Sequence, residues 1–256
     1  MKSDLFKEMP FLDHLEELRI RLIKSFASVL IFSIAAFVFS EKIMNFLAKP
    51  VGKIYFMAPT EAFMVQIKIS LVIGVICAAP ILIYQLWMFV LPGLYEKEVK
   101  IVFPIVIFST LFFYGGGAFC LFYVIPIALN FLMKFGGENL EPLISVSEYF
   151  VFVTRMVLAF AVVFELPVVS YFLGRVGILS HRFMARGRRY AAIVILVLAA
   201  ILTPPDIFSQ VALGVPLYLL YEISILIVFL TGRRRNNGKP DNDTSGDNGA
   251  EDPYAG

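Results

Sequence analysis

Long apolar runs, separated by shorter polar segments, make up most of the sequence. A helix needs about 20 apolar residues to cross the hydrocarbon core of a bilayer, so runs of this length predict membrane-spanning helices. The six predicted spans are at about 23–39, 69–90, 101–125, 149–173, 190–202 and 207–230. The fifth run, of about 13 residues, is shorter than the hydrocarbon thickness requires. The pattern predicts an all-α polytopic membrane protein with one membrane domain, residues 23–230.

The polar segments that flank and connect these spans predict three further features. Residues 1–22 form a charged amphipathic segment, and we expect a helix near the membrane surface that runs into the first span. Residues 41–68 and 126–147 contain glycine, proline and charged residues and are predicted to be long loops. Residues 231–256 are rich in Asn, Asp and Gly, which predicts a disordered tail.

Prolines recur within the predicted spans or at their ends. They are Pro80, Pro104, Pro126, Pro167 and Pro216. Proline lacks a backbone N–H and bends a helix, although membrane helices also tolerate it. Bent helices favour a cupped arrangement over a straight bundle.

The distribution of basic residues predicts the orientation in the membrane. Six spans place both termini on one side. The segments on that side carry sixteen Lys and Arg residues, against five in the segments on the other side. Cytoplasmic segments carry the excess of Lys and Arg, so both termini are predicted to be cytoplasmic.

Composition narrows the class further. Hydrophobic residues make up 59% of the 256 residues, against about 45–50% in soluble domains. The two cysteines, Cys77 and Cys120, lack the spacing of metal ligands, so neither a metal site nor a cofactor is predicted. Acidic residues before the first span argue against a cleavable signal peptide. No internal repeat of the kind that builds many transporters is visible.

A short polar bend between the second and third spans is the first candidate for a binding site. Pro92 and Gly93 end the preceding helix, because proline lacks the N–H and glycine tolerates positive φ. Two carboxylates, Glu96 and Glu98, follow before the next apolar run. Carboxylates are not needed to form a bend this short. The pattern therefore indicates a cation-binding surface, which the predicted orientation places on the cytoplasmic side.

Five motifs along the chain resemble those of one protein family. They are His14-Leu-Glu-Glu-Leu-Arg19 with Arg21-Leu22, Tyr84-Gln-Leu-Trp-Met-Phe89, Pro92-Gly-Leu-Tyr95 with Glu98, Phe164-Glu-Leu-Pro167 and Leu202-Thr-Pro-Pro-Asp-Ile-Phe-Ser-Gln210. From about residue 11 to residue 230 the sequence resembles TatC, the largest subunit of the twin-arginine protein translocase. The tail after Thr231 matches none of the family's patterns.

The resemblance implies a fold, a function and a set of partners. The implied fold is six bent helices in a glove-like form. The implied function is that of a signal-peptide receptor and core scaffold, without enzymatic activity. It serves to export folded proteins across the cytoplasmic membrane with the proton-motive force and without ATP. The implied partners are twin-arginine signal peptides, single-span subunits of the TatA and TatB types, further TatC copies and the lipid bilayer, but no nucleic acid.

By resemblance, Glu17 and Glu98 are the carboxylates that meet the two arginines of the signal peptide. Adjacent guanidinium groups repel each other and need carboxylates at matching positions, and Arg–carboxylate hydrogen bonds are charge-assisted and often bidentate. The further residues assigned to this binding surface are Arg19, Phe89, Pro92 and Tyr95. Two structural alternatives stay open: Glu17 pairs with Arg21 one helical turn later, and Glu98 is a solvated loop charge.

Other residues are candidates for a role within the membrane or in contact with partners. They are Glu165, Asp206, Pro50 and Glu222. An ionisable group at the bilayer centre costs about 2.5–3.5 kcal/mol on insertion scales, which makes function the default interpretation for Glu165. The alternative for Glu165 is a structural hydrogen bond to backbone freed by Pro167. Asp206 is also a good N-cap for the sixth span, Pro50 is equally a shape residue, and Glu222 is placed to pair with a polar group of a partner.

Two other function classes stay open at this point. A proton-coupled small-molecule transporter would use Glu165, Asp206 and Glu222 as proton sites. That function fits the intramembrane acids but not the short fifth span or the missing repeats. An intramembrane enzyme is disfavoured, because the sequence has no His-Glu-x-x-His, Gly-x-Ser-x-Gly or phosphate-loop motif.

Overall fold

The computed structural model describes residues 11–52, 54–90, 102–134, 143–202 and 207–236, and the regular structure within these ranges is helical. The helices are α1 (Phe11–Val38), α2 (Ser40–Ala48), α3 (Pro59–Val90), α4 (Val102–Phe119), α5 (Ile125–Lys134), α6 (Val146–Val163), α7 (Leu166–Val176), α8 (His181–Arg186), α9 (Arg188–Leu202) and α10 (Ile207–Asn236). A π-helical turn, Cys120–Val124, joins α4 to α5. In the same ranges, extended pairing is limited to an isolated bridge between Tyr55 and Ser145. The predicted all-α class is confirmed.

Five helical stretches in the described part of the chain are long and apolar enough to cross a membrane. They are Asp13–Val38, Pro59–Val90, Phe103–Lys134, Val146–Val176 and Gln210–Thr231. The fifth predicted span corresponds to α9, which has 15 residues. At 1.5 Å per residue this helix reaches about 22 Å, less than the hydrocarbon core of about 30 Å. A sixth crossing, the glove-like form and the cytoplasmic termini therefore stay predictions.

The predicted loop 41–68 is wrong, because α2 and the first turns of α3 lie within it. In α2, Leu47 is buried and Ile43 packs against the same core, so one face of this helix is apolar despite its polar residues. Pro59 occupies the first position of α3, where its N–H would have no partner within the helix. The second predicted span, 69–90, therefore begins earlier than its sequence pattern indicates.

The extent of the predicted loop 126–147 is also wrong. α5 continues through Pro126 to Lys134, and α6 already begins at Val146. The Ile125 N–H reaches back to the Cys120 carbonyl oxygen, a π-type bond that shifts the hydrogen-bond register just before the proline. The missing proline N–H therefore does not end the helix.

The predicted span 149–173 is interrupted at Phe164 and Glu165, between α6 and α7. The Glu165 N–H donates to the Val162 carbonyl oxygen at 3.1 Å, which tightens the last turn of α6. Pro167 lies in the first turn of α7, where its missing N–H costs no helical bond. The break places the Glu165 side chain at a discontinuity within an otherwise apolar span.

Three buried clusters hold the described helices together. The largest has residues of α2, α3, α5, α6, α9 and α10 and includes Ile69 and Met156, each no more than 1% exposed. The second lies between α3, α4, α6 and α7 and includes Trp87, and the third joins α8 to α10. α1 packs along α3. A Cβ at Gly74 of α3 would lie 2.7 Å from the Ser33 Cα of α1, so a small residue permits this close approach, as is common between membrane helices.

Glu61 ties together the chain segments at the start of α3 and of α6. One carboxylate oxygen accepts a hydrogen bond from the Met57 N–H at 2.7 Å, in front of its own helix. The other accepts from the Ser145 hydroxyl at 2.8 Å and from the Ser147 N–H at 3.0 Å. A carboxylate at two helix N-termini satisfies amides that the helices leave unpaired. This contact fixes the two spans relative to each other at one end of the bundle.

Gly116 allows α4 to lie close to the end of α6. A Cβ at this position would lie 2.6 Å from the Phe164 Cγ and 2.8 Å from the Phe160 carbonyl oxygen. We therefore expect Gly116→Ala to destabilise the protein by about 1–3 kcal/mol through overpacking. This cost exceeds the ~0.5–1 kcal/mol that alanine contributes over glycine in a helix interior. The measurement is the thermal unfolding temperature of the purified protein in detergent.

Gly115→Ala is the matched control for this prediction. A Cβ at Gly115 meets no atom within 4 Å, so this variant gains helix propensity without a collision. Equal unfolding temperatures for the two variants would contradict the close approach of α4 to α6.

Candidate functional site

The first turns of α1 contact the last turns of α3. The His14 ring stacks on the Phe89 ring, with centroids 4.5 Å apart and planes 14° apart. One turn earlier in α3, the Arg21 Nη1 donates to the Gln85 Oε1 at 3.1 Å. His14, Glu17 and Arg21 lie on one face of α1 because they are three and four residues apart. We call these five residues the α1–α3 polar cluster.

Glu17 is the carboxylate of this cluster, and its two oxygens have different environments. Oε1 accepts hydrogen bonds from Arg21, from Nε at 2.9 Å and from Nη2. Oε2 is buried, and in the described part of the chain it accepts no hydrogen bond. The His14 Nδ1 lies 3.9 Å from Oε2, beyond hydrogen-bond distance. The pair with Arg21, an open alternative from the sequence, is therefore formed, yet one oxygen keeps its capacity to accept.

Arg19 does not join the cluster. Two residues beyond Glu17, it lies about 200° around the helix axis, and its side chain is 70% exposed. Its Nη1 donates to the Glu16 Oε1 at 3.1 Å. The structure thus brings Phe89 to Glu17 but not Arg19.

Several predicted site residues lie outside the described residues. They are Pro92, Tyr95 and Glu98 of the acidic bend and Asp206 of the turn before α10. The bend begins directly after Val90, the last residue of α3, so it follows the cluster in the chain. Gln85 is a cluster member that sequence reasoning missed. It stands inside the motif that ends at Phe89, and its spacing of four residues from Phe89 is the signal for a shared helical face.

A second polar cluster lies where α3 and α4 meet the break between α6 and α7. The Trp87 indole N–H donates to the Ser109 Oγ at 3.3 Å. The Ser109 hydroxyl in turn donates to the Glu165 Oε2. Glu165 Oε1 is buried and has no hydrogen-bond partner among the described residues.

The Glu165 carboxylate bonds to a side chain and not to the backbone that Pro167 frees, so that structural alternative is wrong. Proline frees a carbonyl oxygen of the preceding turn, which is an acceptor. An ionised carboxylate has only acceptors and cannot bond to it. A serine hydroxyl supplies the donor instead.

An apolar groove of about 260 Å³ lies beside this second cluster. It is lined by side chains of α4, α7 and α10, which are Pro104, Ile105, Phe108, Phe112, Pro167, Val168, Tyr171 and Ile227. Pro167 and Val168 follow Glu165 closely in the chain. The groove therefore begins two residues after Glu165, whose own side chain is not among those that line it.

Glu222 forms an ion pair within the chain. The Arg188 Nε lies 2.8 Å from its Oε1, and the Arg188 Nη2 lies 2.9 Å from its Oε2. This bidentate geometry joins the start of α9 to the middle of α10, and the Glu222 carboxylate raises the pKa of the Arg188 guanidinium. The predicted pairing of Glu222 with a partner's polar group stays a prediction.

Pro50 follows the C-terminal end of α2. The N–H groups of Val51 and Gly52 both donate to the Ala48 carbonyl oxygen, at 3.0 and 3.1 Å. Gly52 has φ of +80°, a conformation that glycine adopts without strain. Pro50 is exposed and stands in the turn that ends this helix, which agrees with the interpretation as a shape residue.

The helices and the two polar clusters define a polytopic helical membrane protein that holds carboxylates at one end of its bundle and within a span. Comparison with known proteins gives the family. The model of the family described as Sec-independent protein translocase protein (TatC) matches residues 13–216. The chain belongs to this family, and the resemblance of its motifs is confirmed.

Individual relatives cover most of the chain. The sequence is 40% identical over 238 residues to the Sec-independent protein translocase protein TatC of Desulforapulum autotrophicum, across 90% of this chain and 88% of that protein. It is 40% identical over 235 residues to the TatC of Aquifex aeolicus, across 89% of this chain and 98% of that protein. A crystal structure of the twin-arginine translocase receptor TatC matches with a TM-score of 0.79 at 39% identity, and covers 85% of this chain and 99% of that one.

Proposed function

We propose that this chain is the signal-peptide receptor and core scaffold of a twin-arginine translocase in the cytoplasmic membrane. The observation that carries the proposal is the state of Glu17. Its Oε2 is buried without a hydrogen-bond partner in the described part of the chain, inside a cluster that ends one residue before the acidic bend. A buried carboxylate oxygen that accepts no hydrogen bond is unfavourable. A hydrogen bond from a guanidinium N–H to the Glu17 Oε2 therefore stabilises the complex more than the same bond to a solvated carboxylate would.

The two arginines of a signal peptide need two such acceptors. In the proposal, Glu17 meets one guanidinium and Glu98, from the bend after α3, meets the other. Arg21 occupies only the Glu17 Oε1, and its hydrogen bond to Gln85 holds it on the far side of the carboxylate. The arrangement fixes Glu17 in one rotamer before the peptide arrives, which lowers the entropic cost of binding.

The apolar part of the signal peptide would lie along the aromatic residues at the end of α3. Phe89 is half-buried against His14, so one of its faces is available for such a contact. Pro92 and Tyr95 would extend this surface along the bend. Arg19 faces away from Glu17 and would contact the peptide only outside the arginine pair.

The remaining features of the proposal concern transport. Both termini are cytoplasmic, and the chain works with TatA- and TatB-type subunits and further TatC copies under the proton-motive force. Glu165, at the break between α6 and α7, acts in the transport step or in partner assembly. No observation in the described residues favours a proton-coupled small-molecule transporter, since Glu222 is engaged by Arg188.

The test is a titration of the reconstituted protein with a fluorescent twin-arginine signal peptide, followed by anisotropy. We expect saturable binding that weakens about tenfold, or about 1.4 kcal/mol, when both peptide arginines are replaced by lysine. Lysine keeps the charge but not the planar fork that bonds a carboxylate through two N–H groups.

A proton-flux assay on the same vesicles provides the comparison with the alternative function. We expect no solute-stimulated proton flux from this chain alone. Absence of peptide binding, or proton flux driven by a small solute, would contradict the proposed receptor function.

A further inference from the structure

Ser109 differs from several other serine and threonine residues of the helices in the acceptor to which its hydroxyl donates. Five others donate to a carbonyl oxygen of the preceding turn, a common bond for serine and threonine in a helix. These are Ser28, Ser70, Thr154, Ser224 and Thr231. Ser109 instead donates across to the Glu165 carboxylate, 56 residues away in the chain.

Trp87 explains why the Ser109 hydroxyl takes this direction. Its indole N–H donates to the Ser109 Oγ at 3.3 Å, so the hydroxyl oxygen is engaged as an acceptor and its hydrogen is directed at Glu165. Trp87 has a fixed position, because its ring meets the Phe172 ring edge-on at 4.6 Å. Trp87 is 6% exposed, and Ser109 is 1% exposed. Water therefore does not compete for either bond.

We propose that Ser109 and Trp87 are positioning residues for Glu165. Together they form a relay of two hydrogen bonds that fixes Oε2 of the carboxylate at the break between α6 and α7 and leaves Oε1 to act. The inference rests on the proposed function, in which Glu165 serves the transport step. A glutamate side chain has three rotatable bonds. Without the relay, the Glu165 side chain would sample several rotamers, and Oε1 would occupy its functional position for a smaller fraction of the time.

The relay is separate from the α1–α3 polar cluster. Gln85 and Phe89 face α1, whereas Trp87 faces α4 and α7 from the same helix. Breaking the relay should therefore lower transport and leave signal-peptide binding unchanged. A general loss of folding would lower both.

The test compares Ser109→Thr with Ser109→Val. The two side chains have nearly the same size and shape, so any strain from the added volume is shared, and only threonine keeps the hydroxyl. We expect Ser109→Val to lower the rate of precursor export into vesicles about tenfold relative to Ser109→Thr, as fits the loss of one hydrogen bond. Signal-peptide affinity should agree between the two.

Tryptophan fluorescence gives a second readout, because it responds to the hydrogen bond of the indole N–H and not only to the volume at position 109. Trp87 is the only tryptophan of the protein, so the emission of the purified protein comes from this residue. Ser109→Val leaves the indole N–H without its acceptor and should shift the emission maximum to shorter wavelength. Ser109→Thr should keep the wild-type emission. Ser109→Ala, which removes the hydroxyl without adding volume, should match Ser109→Val in both assays and serves if the branched variants fail to fold.

Each outcome separates this inference from the proposed function. If Glu165→Ala exports precursor at the wild-type rate, the proposed role of Glu165 and the relay fail together. If Glu165→Ala is impaired but Ser109→Val, or Ser109→Ala in its place, exports normally, only the positioning inference is overturned. The inference would also be overturned if Ser109→Thr and Ser109→Val lowered export equally and left the emission unchanged. The export rate would then depend on the size of the side chain at position 109 and not on its hydroxyl.

Discussion

Replacing Glu17 with glutamine is expected to weaken binding of a twin-arginine signal peptide by about tenfold to a hundredfold. Glutamine keeps the size and one acceptor oxygen but removes the charge. A hydrogen bond to a charged group contributes about 1.5–3 kcal/mol, and the Oε2 that we assign to the incoming guanidinium becomes an amide that repels it. The dissociation constant, measured by anisotropy of a labelled peptide, reports the change.

Glu16→Gln is the matched control for this prediction. It makes the same change of charge one residue away, at a carboxylate that is 56% exposed and paired with Arg19. Loss of net charge alone would weaken binding equally in both variants. Full affinity in Glu17→Gln, or an equal loss in Glu16→Gln, would contradict a specific role for Glu17.

Glu98 is expected to behave like Glu17. Glu98→Gln should weaken binding to a similar extent, because in the proposal each carboxylate meets one arginine of the pair. Glu96→Gln is the control in the bend, since the proposal assigns Glu96 no arginine and only a share of the negative field, which salt screens. The same titration measures both.

Replacing Glu165 with alanine is expected to lower precursor export at least about tenfold while signal-peptide affinity stays within the error of the measurement. The Glu165 Oε2 accepts the hydrogen bond from Ser109, and Oε1 is buried with no hydrogen-bond partner among the described residues. The carboxylate makes no contact with the α1–α3 polar cluster in the ranges that the structure describes. Export into inverted membrane vesicles and peptide anisotropy on the same preparation give the two quantities.

Glu165→Ala should fold, because the Ser109 hydroxyl can turn to a carbonyl oxygen of its own helix, as other serines of this protein do. Glu165→Gln is the informative companion variant, since it keeps an acceptor for Ser109 and removes only the ionisable group. A loss of peptide binding in Glu165→Ala would place this residue in the receptor surface or in the fold and contradict its assignment to transport.

Apolar runs of sufficient length were enough to predict the helical class and the positions of most long helices. They failed where apolar and polar residues alternate around a short helix. α2 carries Glu41, Lys42 and Asn45 on its exposed side, and its buried face includes Leu47. Such a helix is stabilised by tertiary packing more than by propensity, so composition suggested a loop.

The candidate sites were predictable to different extents. The single residues Glu17, Phe89 and Glu165 followed from the motifs, because each stands out by charge or position. The residues around them did not, because the hydrogen bonds of Gln85, Trp87 and Ser109 join groups that lie 22 to 64 residues apart in the chain. Contacts of this kind arise from the packing of α1 and α4 against α3, which no local pattern contains.

The most direct test of the arginine-capture account is a double-mutant cycle between receptor and peptide. Glu17→Gln and Glu98→Gln are each combined with replacement of each peptide arginine by glutamine, and the four affinities of every cycle are measured. The account predicts an interaction energy of about 1 kcal/mol or more between each carboxylate and one of the two arginines. Additive losses for both carboxylates with both arginines would contradict it.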